Sequence, residues 1–149
     1  MKIIIAGGTG FLGENLEKYF TEKGNEVYIL TRNPQRKNEI YWDAKTIGEW
    51  KNSLEKADVL INLTGKSVDC RYHEKNKQEI YSSRIDSTKI LQKAVDQCSE
   101  KPKIWMNASS ATIYVHSEKH LNTEENGIIG DDFSMNICKS WEQEFFKIK

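Results

Sequence analysis

A chain of 149 residues is long enough for one domain with a hydrophobic core of its own. Its 22 basic and 22 acidic residues cancel to zero formal charge, which excludes a nucleic-acid binder driven by bulk charge; no apolar run is long enough to cross a membrane. Cys70, Cys98 and Cys138 are isolated and no C-x-x-C occurs, so reduced thiols in a cytoplasmic setting are expected and a metal site is not.

The first apolar segment, Ile3 to Ala6, is too short for a signal peptide but suits a buried parallel strand over about 2–6. Gly7, Gly10 and Gly13 follow in a G-x-x-G-x-x-G rhythm. An amphipathic helix over about 11–23 comes next, with Leu12, Leu16, Tyr19 and Phe20 as its apolar residues and Gly24 as its stop. Strand, glycine turn and helix are the parts of a dinucleotide-binding βα unit, in which backbone N–H groups and the helix N-terminus meet a pyrophosphate.

Val27 to Thr31 reads as a second strand, ended by Asn33-Pro34, and Glu39 to Trp42 as a short third. Thr46 is expected to cap a helix carrying Ile47, Trp50 and Leu54. Asp58 to Leu63 is a buried fourth strand that runs into Thr64-Gly65. A long helix over about 73–98 carries the stripe Tyr81, Ile85, Thr88, Leu91, Val95 and Cys98. Lys103 to Ala108 is strand five, and a loop spans about 116–132. A last helix starts at Asp132 or Phe133, with Phe133, Ile137, Trp141 and Phe145 on one buried face.

This alternation predicts an α/β fold, a doubly wound parallel sheet with helices on both faces. Such a sheet calls for a sixth strand after the last helix. The expectation is therefore a piece of a longer protein, truncated after about five strands, with strand five as an exposed edge prone to self-association. His116 and His120 stand four apart, but the segment has no helical pattern and no third ligand, so a solvated loop is expected. Asn62 and Asn107 head glycosylation-type triplets at strand ends in a chain with no export signal and are set aside.

GGTGFLG at 7–13, ADVLINLTG at 57–65, SSATIY at 109–114 and DFSMNICKSWE at 132–142 together resemble the extended short-chain dehydrogenase/reductase superfamily, and within it the NAD-dependent epimerase/dehydratase-like subgroup of nucleoside-diphosphate-sugar epimerases. The resemblance spans the whole chain and the N-terminal half of a typical member. It implies an NAD(P)-binding Rossmann domain over 1–149, without the C-terminal substrate domain. Gly7, Gly10 and Gly13 take the three glycine roles, and the backbone N–H groups of Phe11 and Leu12 meet phosphate, with Thr9 in the same turn. Leu63, Thr64 and Gly65 match the turn that runs beside the cofactor. Asp43 sits where relatives hold the adenine amino group; a plain turn residue is the equal alternative.

Dehydrogenases that prefer NAD end strand two with an acidic residue. Here the strand ends in Thr31-Arg32-Asn33. Arg32 can offer a 2′-phosphate a charge-assisted fork, so NADP is expected over NAD. NAD stays open, as does the reading of Arg32 as a surface arginine, and Arg36 is a second candidate.

The superfamily's reaction couples hydride transfer to proton transfer, using a serine, a tyrosine and a lysine four residues after the tyrosine. Ser110, or its neighbour Ser109, matches the orienting serine, and Lys139 matches the lysine. Met135 stands where the tyrosine belongs, and no tyrosine follows Tyr114. Tyr114 or a residue outside this chain is left as the acid/base; the alternative is NADP binding without turnover. Arg84 replaces an asparagine of relatives and is open between catalytic, cofactor-facing and surface roles. The resemblance implies oxidoreductase or isomerase chemistry on a nucleotide-linked sugar or similar small carbonyl compound, or else a non-catalytic NADP-binding module. It also implies a homodimer through the helices at about 73–98 and 133–149. No nucleic-acid or membrane partner is expected.

Overall fold

The apolar run at the start of the chain becomes the central strand of a five-stranded sheet. The computed structural model describes residues 1–119 and 121–147. Two compact units divide the chain, Met1–Ala108 and Ser109–Lys149.

The first unit contains strands β1 (Lys2–Ala6), β2 (Glu26–Thr31), β3 (Glu39–Tyr41), β4 (Val59–Asn62) and β5 (Ile104–Asn107). Their order is β3-β2-β1-β4-β5 and every pairing is parallel. Helix α1 (Phe11–Glu22) follows β1, and α2 (Glu74–Asp96) links β4 to β5. Alternation along β1 sorts its side chains between two cores, because successive residues of a strand point to opposite faces. Ile3 and Ile5 join Val27, Ile29 and Ile61 under Leu16 and Phe20 of α1. Ile4 and Ala6 join Leu30, Leu60, Trp42, Trp50 and Leu54, with Leu91, Ala94 and Val95 of α2. Both faces of this sheet are therefore covered, which is the doubly wound arrangement expected from the alternation.

Several details differ from the sequence expectation. Leu12 and Tyr19 of α1 are exposed, so its buried edge is narrower than four residues. Thr46 caps no helix: a 3-10 helix runs over Glu49–Leu54 behind Gly48, and the Thr46 carbonyl accepts the indole N–H of Trp50. On α2, Tyr81 is exposed and Ile80 is fully buried, so the stripe begins one residue earlier.

The second unit contains a 3-10 turn at Ala111–Ile113, an isolated antiparallel bridge between Tyr114 and Ile129, and α3 (Phe133–Phe145). Asp132 caps α3 by accepting from the Met135 N–H at 2.8 Å. Ile137 and Trp141 are buried as expected. Phe133 and Phe145 are half-buried, and Cys138 and Glu144 take deeper positions. His120 and the last two residues of the expected 133–149 helix lie outside the described residues. Among the described residues no helix is long and apolar enough to cross a membrane, and no group of His, Cys, Asp and Glu is placed to hold a metal ion.

Candidate functional site

A cleft of about 760 Å³ opens at the C-terminal ends of β1, β2 and β4. The chain leaves β1 toward β2 on one side and returns to β4 on the other. Ligands of open α/β sheets bind at such a reversal.

The floor is the glycine turn. Gly7 has φ +72°, and a Cβ on it would stand 2.9 Å from Thr64 Cα, so the ends of β1 and β4 meet only because that atom is missing. A Cβ on Gly13 would lie 2.3 Å from the Gly8 carbonyl oxygen, which is how closely α1 sits on the turn. Gly10 is different: a Cβ there would meet nothing within 4 Å, and the residue lines the cleft. Gly10 is also the N-cap of α1 and brings no capping side chain. The first N–H groups of α1 thus keep their hydrogen-bonding capacity at the positive end of a twelve-residue helix. Phe11 and Leu12 begin the helix with exposed side chains, so backbone is what this end offers a ligand.

One wall is the segment after β4. Leu63, Thr64 and Gly65 all line the cleft. Thr64 donates its N–H to the side-chain oxygen of Asn62, and its own hydroxyl is buried without a partner. An orphaned buried hydroxyl beside Gly7 fits a site that completes its hydrogen bonds with a ligand. Arg84 of α2 fastens this wall. Its guanidinium donates to the carbonyls of Lys66 and Ile80, each at 3.1 Å, and lies 3.0 Å from where a Gly65 Cβ would be. Lys66 donates its N–H to Ser83 Oγ at 2.8 Å and pairs its ammonium with Glu79. Through these contacts Arg84 braces backbone beside the cleft.

The opposite wall comes from β2 and β3. Arg32 follows β2, is exposed and lines the cleft. Arg36, the second arginine candidate, is committed elsewhere, bridging Glu39 at 2.7 Å and Glu17 at 2.9 Å. Asp43 lines the cleft too, and its carboxylate closes its own turn. Oδ1 accepts from the N–H groups of Lys45 and Thr46, both at 2.9 Å, and Oδ2 from the Thr46 hydroxyl at 2.7 Å. Burial pushes this carboxyl upward, but those donors outweigh it and hold the group below its ordinary range. The turn role expected for Asp43 is thus present in the geometry.

The residues matched to catalysis lie in the second unit. Ser110 caps the 3-10 turn by accepting from the Thr112 N–H, and its hydroxyl is 2.9 Å from Thr112 Oγ1. Ser109 donates to Glu142 of α3. The Tyr114 ring lies against Gly127, where a Cβ would come within 2.3 Å of it. Met135 and Lys139 are one helical turn apart on α3 and share a face. The thioether of Met135 packs on Gly130. The Lys139 ammonium has no hydrogen-bond or ion-pair partner among the described residues.

Sequence reasoning missed the hydrogen bonds of Asn62 under the β4 wall. Asn62 donates to Asn107 Oδ1 at 2.7 Å and to Thr88 Oγ1 at 3.2 Å. An asparagine inside an apolar strand was the available signal. Lys45 was missed as well, since nothing in its local sequence marks it as a cleft residue.

Comparison with known proteins agrees with this geometry. The family model described as "NAD dependent epimerase/dehydratase family" matches residues 3–129. The epimerase family protein YfhF of Bacillus subtilis is 40% identical, covering 97% of this chain and 49% of that protein. The human epimerase family protein SDR39U1 is 30% identical over 95% of this chain and 48% of its own length. The crystal structure of that human protein with NADPH superposes with a TM-score of 0.83, covering 97% of this chain and 48% of that one. A nucleoside-diphosphate sugar epimerase from Corynebacterium glutamicum is 27% identical with a TM-score of 0.79, over 97% of this chain and 30% of that one. The chain spans about half the length of the curated relatives it matches. With the glycine turn, the switch-point cleft and a family model extending over most of its length, this chain belongs to the NAD dependent epimerase/dehydratase family.

Proposed function

We propose that this chain binds NADP in the cleft and supplies the cofactor-binding half of an epimerase-like oxidoreductase or isomerase acting on a nucleotide-linked sugar or a similar small carbonyl compound. The observation that carries the reading is the uncapped N-terminus of α1, set on a turn that lines the switch-point cleft. Gly10 leaves room there for a phosphate, and the orphaned Thr64 hydroxyl offers it a hydrogen bond. NADPH in the human SDR39U1 structure supports the same cofactor class. The preference for NADP over NAD rests on Arg32, which carries a fixed charge beside a strand end with no carboxylate.

When bound, the nicotinamide would supply or accept the hydride. This chain's residues would hold the pyrophosphate on the α1 N–H groups and the 2′-phosphate on Arg32. Ser110 matches the superfamily's substrate-orienting serine and Lys139 its lysine, by motif position.

A second reading has its own support. A thioether cannot move a proton, so Met135 favours a module that binds NADP without turnover.

Calorimetric titration with NADPH and NADH tests the binding. NADPH is expected to bind about ten- to a hundredfold more tightly, the value of one charge-assisted contact of about 1.5–3 kcal/mol. Arg32→Gln should close that gap, and Gly7→Ala should weaken both cofactors. Failure of both to bind the unaltered chain overturns the proposal. NADPH oxidation by the longer polypeptide with a nucleotide-sugar substrate separates the catalytic reading from the binding module.

A further inference from the structure

We infer that Lys45 is a second specificity determinant for the 2′-phosphate, presented beside Arg32 by a strained turn that the protein builds in advance. The inference rests on the NADP reading above and extends it to a residue that no motif marks.

The placement begins in the sheet. β2 and β3 run parallel, with Thr31 opposite Tyr41, and the Trp42 N–H donates to the Thr31 carbonyl at 2.8 Å. Each chain then leaves the sheet at the same level, so Arg32 emerges next to the turn that starts at Asp43. Adjacent strands are about 4.8 Å apart, which puts the two segments side by side on one wall. Both Arg32 and Lys45 line the cleft.

The turn has an unusual backbone. Ala44 has φ +61°, in the left-handed region that costs an L-residue with a Cβ about 1–2 kcal/mol. Strain of this kind persists only where neighbours over-determine it. Here they do. On one side Trp42 is buried with its ring tilted against Trp50, centroids 5.6 Å apart. On the other, the Asp43 carboxylate gathers the N–H groups of Lys45 and Thr46 and the Thr46 hydroxyl. The reversal at Ala44 therefore fixes where Lys45 leaves the backbone.

Charge completes the argument. An acid so close to Arg32 would ordinarily neutralise it and repel a phosphate. Asp43 makes no ion pair among the described residues; its oxygens face its own turn. Arg32 and Lys45 likewise have no hydrogen-bond or ion-pair partner for their charged groups among the described residues. At the α2 end of the cleft the charges cancel: Lys66 is paired with Glu79, and Arg84, which braces that wall, offsets Asp86. Where β2 and β3 end, Arg32 and Lys45 outnumber the single Asp43 carboxylate, so that end of the cleft is net cationic. A ligand with a doubly charged phosphate on its adenosine ribose matches that polarity. An adenosine ribose with free hydroxyls gains nothing from it.

The test uses the adenosine end alone as well as the whole cofactor. Lys45→Gln, Arg32→Gln and the control Lys89→Gln, on the exposed side of α2, are titrated with NADPH, NADH, adenosine 2′,5′-bisphosphate and adenosine 5′-phosphate. Lys45→Gln is expected to weaken NADPH and the bisphosphate about three- to tenfold, at the scale of a partly exposed charge contact, and to leave NADH and adenosine 5′-phosphate unchanged. Lys45→Glu should enlarge the loss, and added salt should shrink the difference. Lys89→Gln should change nothing. Equal loss for NADPH and NADH in Lys45→Gln, or no loss for either while Arg32→Gln abolishes the preference, overturns the inference and leaves the NADP reading standing. An unaltered chain that does not prefer NADPH brings down that reading and this one with it.

Discussion

Asn62 of β4, fully buried, donates its side-chain amide to Asn107 Oδ1 of β5 across 2.7 Å. The same amide group reaches Thr88 of α2, and its oxygen receives the Thr64 N–H at 3.1 Å. One buried side chain thus joins two strands, a helix and the wall of the cleft. Asn62→Leu keeps the volume and strands the Thr64 N–H and Asn107 oxygen. A fully buried polar group left without a partner costs about 1–3 kcal/mol; Thr64 and Asn107 are half-buried, so a loss of about 1–3 kcal/mol in all is expected in urea unfolding with an unchanged m-value. A loss below about 1 kcal/mol would show that the amide contributes nothing net.

The left-handed Ala44 makes the opposite prediction. Glycine adopts φ +61° without a Cβ penalty but has more freedom to lose from the unfolded chain. Relief of about 1–2 kcal/mol against a loss of about 0.4–1 leaves Ala44→Gly more stable by up to about 1.6 kcal/mol, about 0.8 at mid-range. That corresponds to a rise in Tm of about 1–4 °C for a chain of this size. A fall in Tm would show that the turn is not strained.

Acid should loosen the N-terminal edge of the sheet. Asp58 is held below its ordinary range first by the Lys103 ammonium at 2.6 Å, then by the Lys2 N–H at 2.8 Å. Glu39 is lowered by the Gln35 N–H and then by Arg36. A carboxyl depressed in the folded state stabilises fully above its unfolded pKa, about 4, and the benefit disappears as pH falls through the folded value. The urea midpoint should therefore be level between about pH 5 and 7 and decline below about pH 4. Asp58→Asn should flatten part of that decline; an unaltered slope in the variant would remove Asp58 from it.

Legibility in the sequence followed the range of the interaction. The β1 run and the glycine turn were readable because their causes are local: a buried strand needs consecutive apolar residues, and Gly7 and Gly13 answer steric demands within a few residues of themselves or at one strand end. The turn role of Asp43 was one of two equal readings of its position, open to the sequence for the same reason. The face of α2 was misjudged at Tyr81 because two neighbouring apolar residues both fit the period, and packing chose Ile80. Where a helix was expected at Thr46, the Trp50 indole donates to the Thr46 carbonyl and Trp42 tilts against the Trp50 ring, a contact the local sequence hides. Arg84, Asn62 and Lys45 depend on partners that the fold brings from about 18 to 45 residues away, or on a cleft shared by three strand ends.

The two walls of the cleft are made differently. Gly65 and Lys66 are riveted to α2 by Arg84 and Ser83, so this jaw can shift only by carrying a 23-residue helix with it. The jaw at Asp43–Thr46 is a turn held by a single carboxylate and footed on Trp42. Both jaws are thus set before any ligand arrives, one by a helix and the other by its own hydrogen bonds, so filling the cleft should leave the backbone of either wall where it stands.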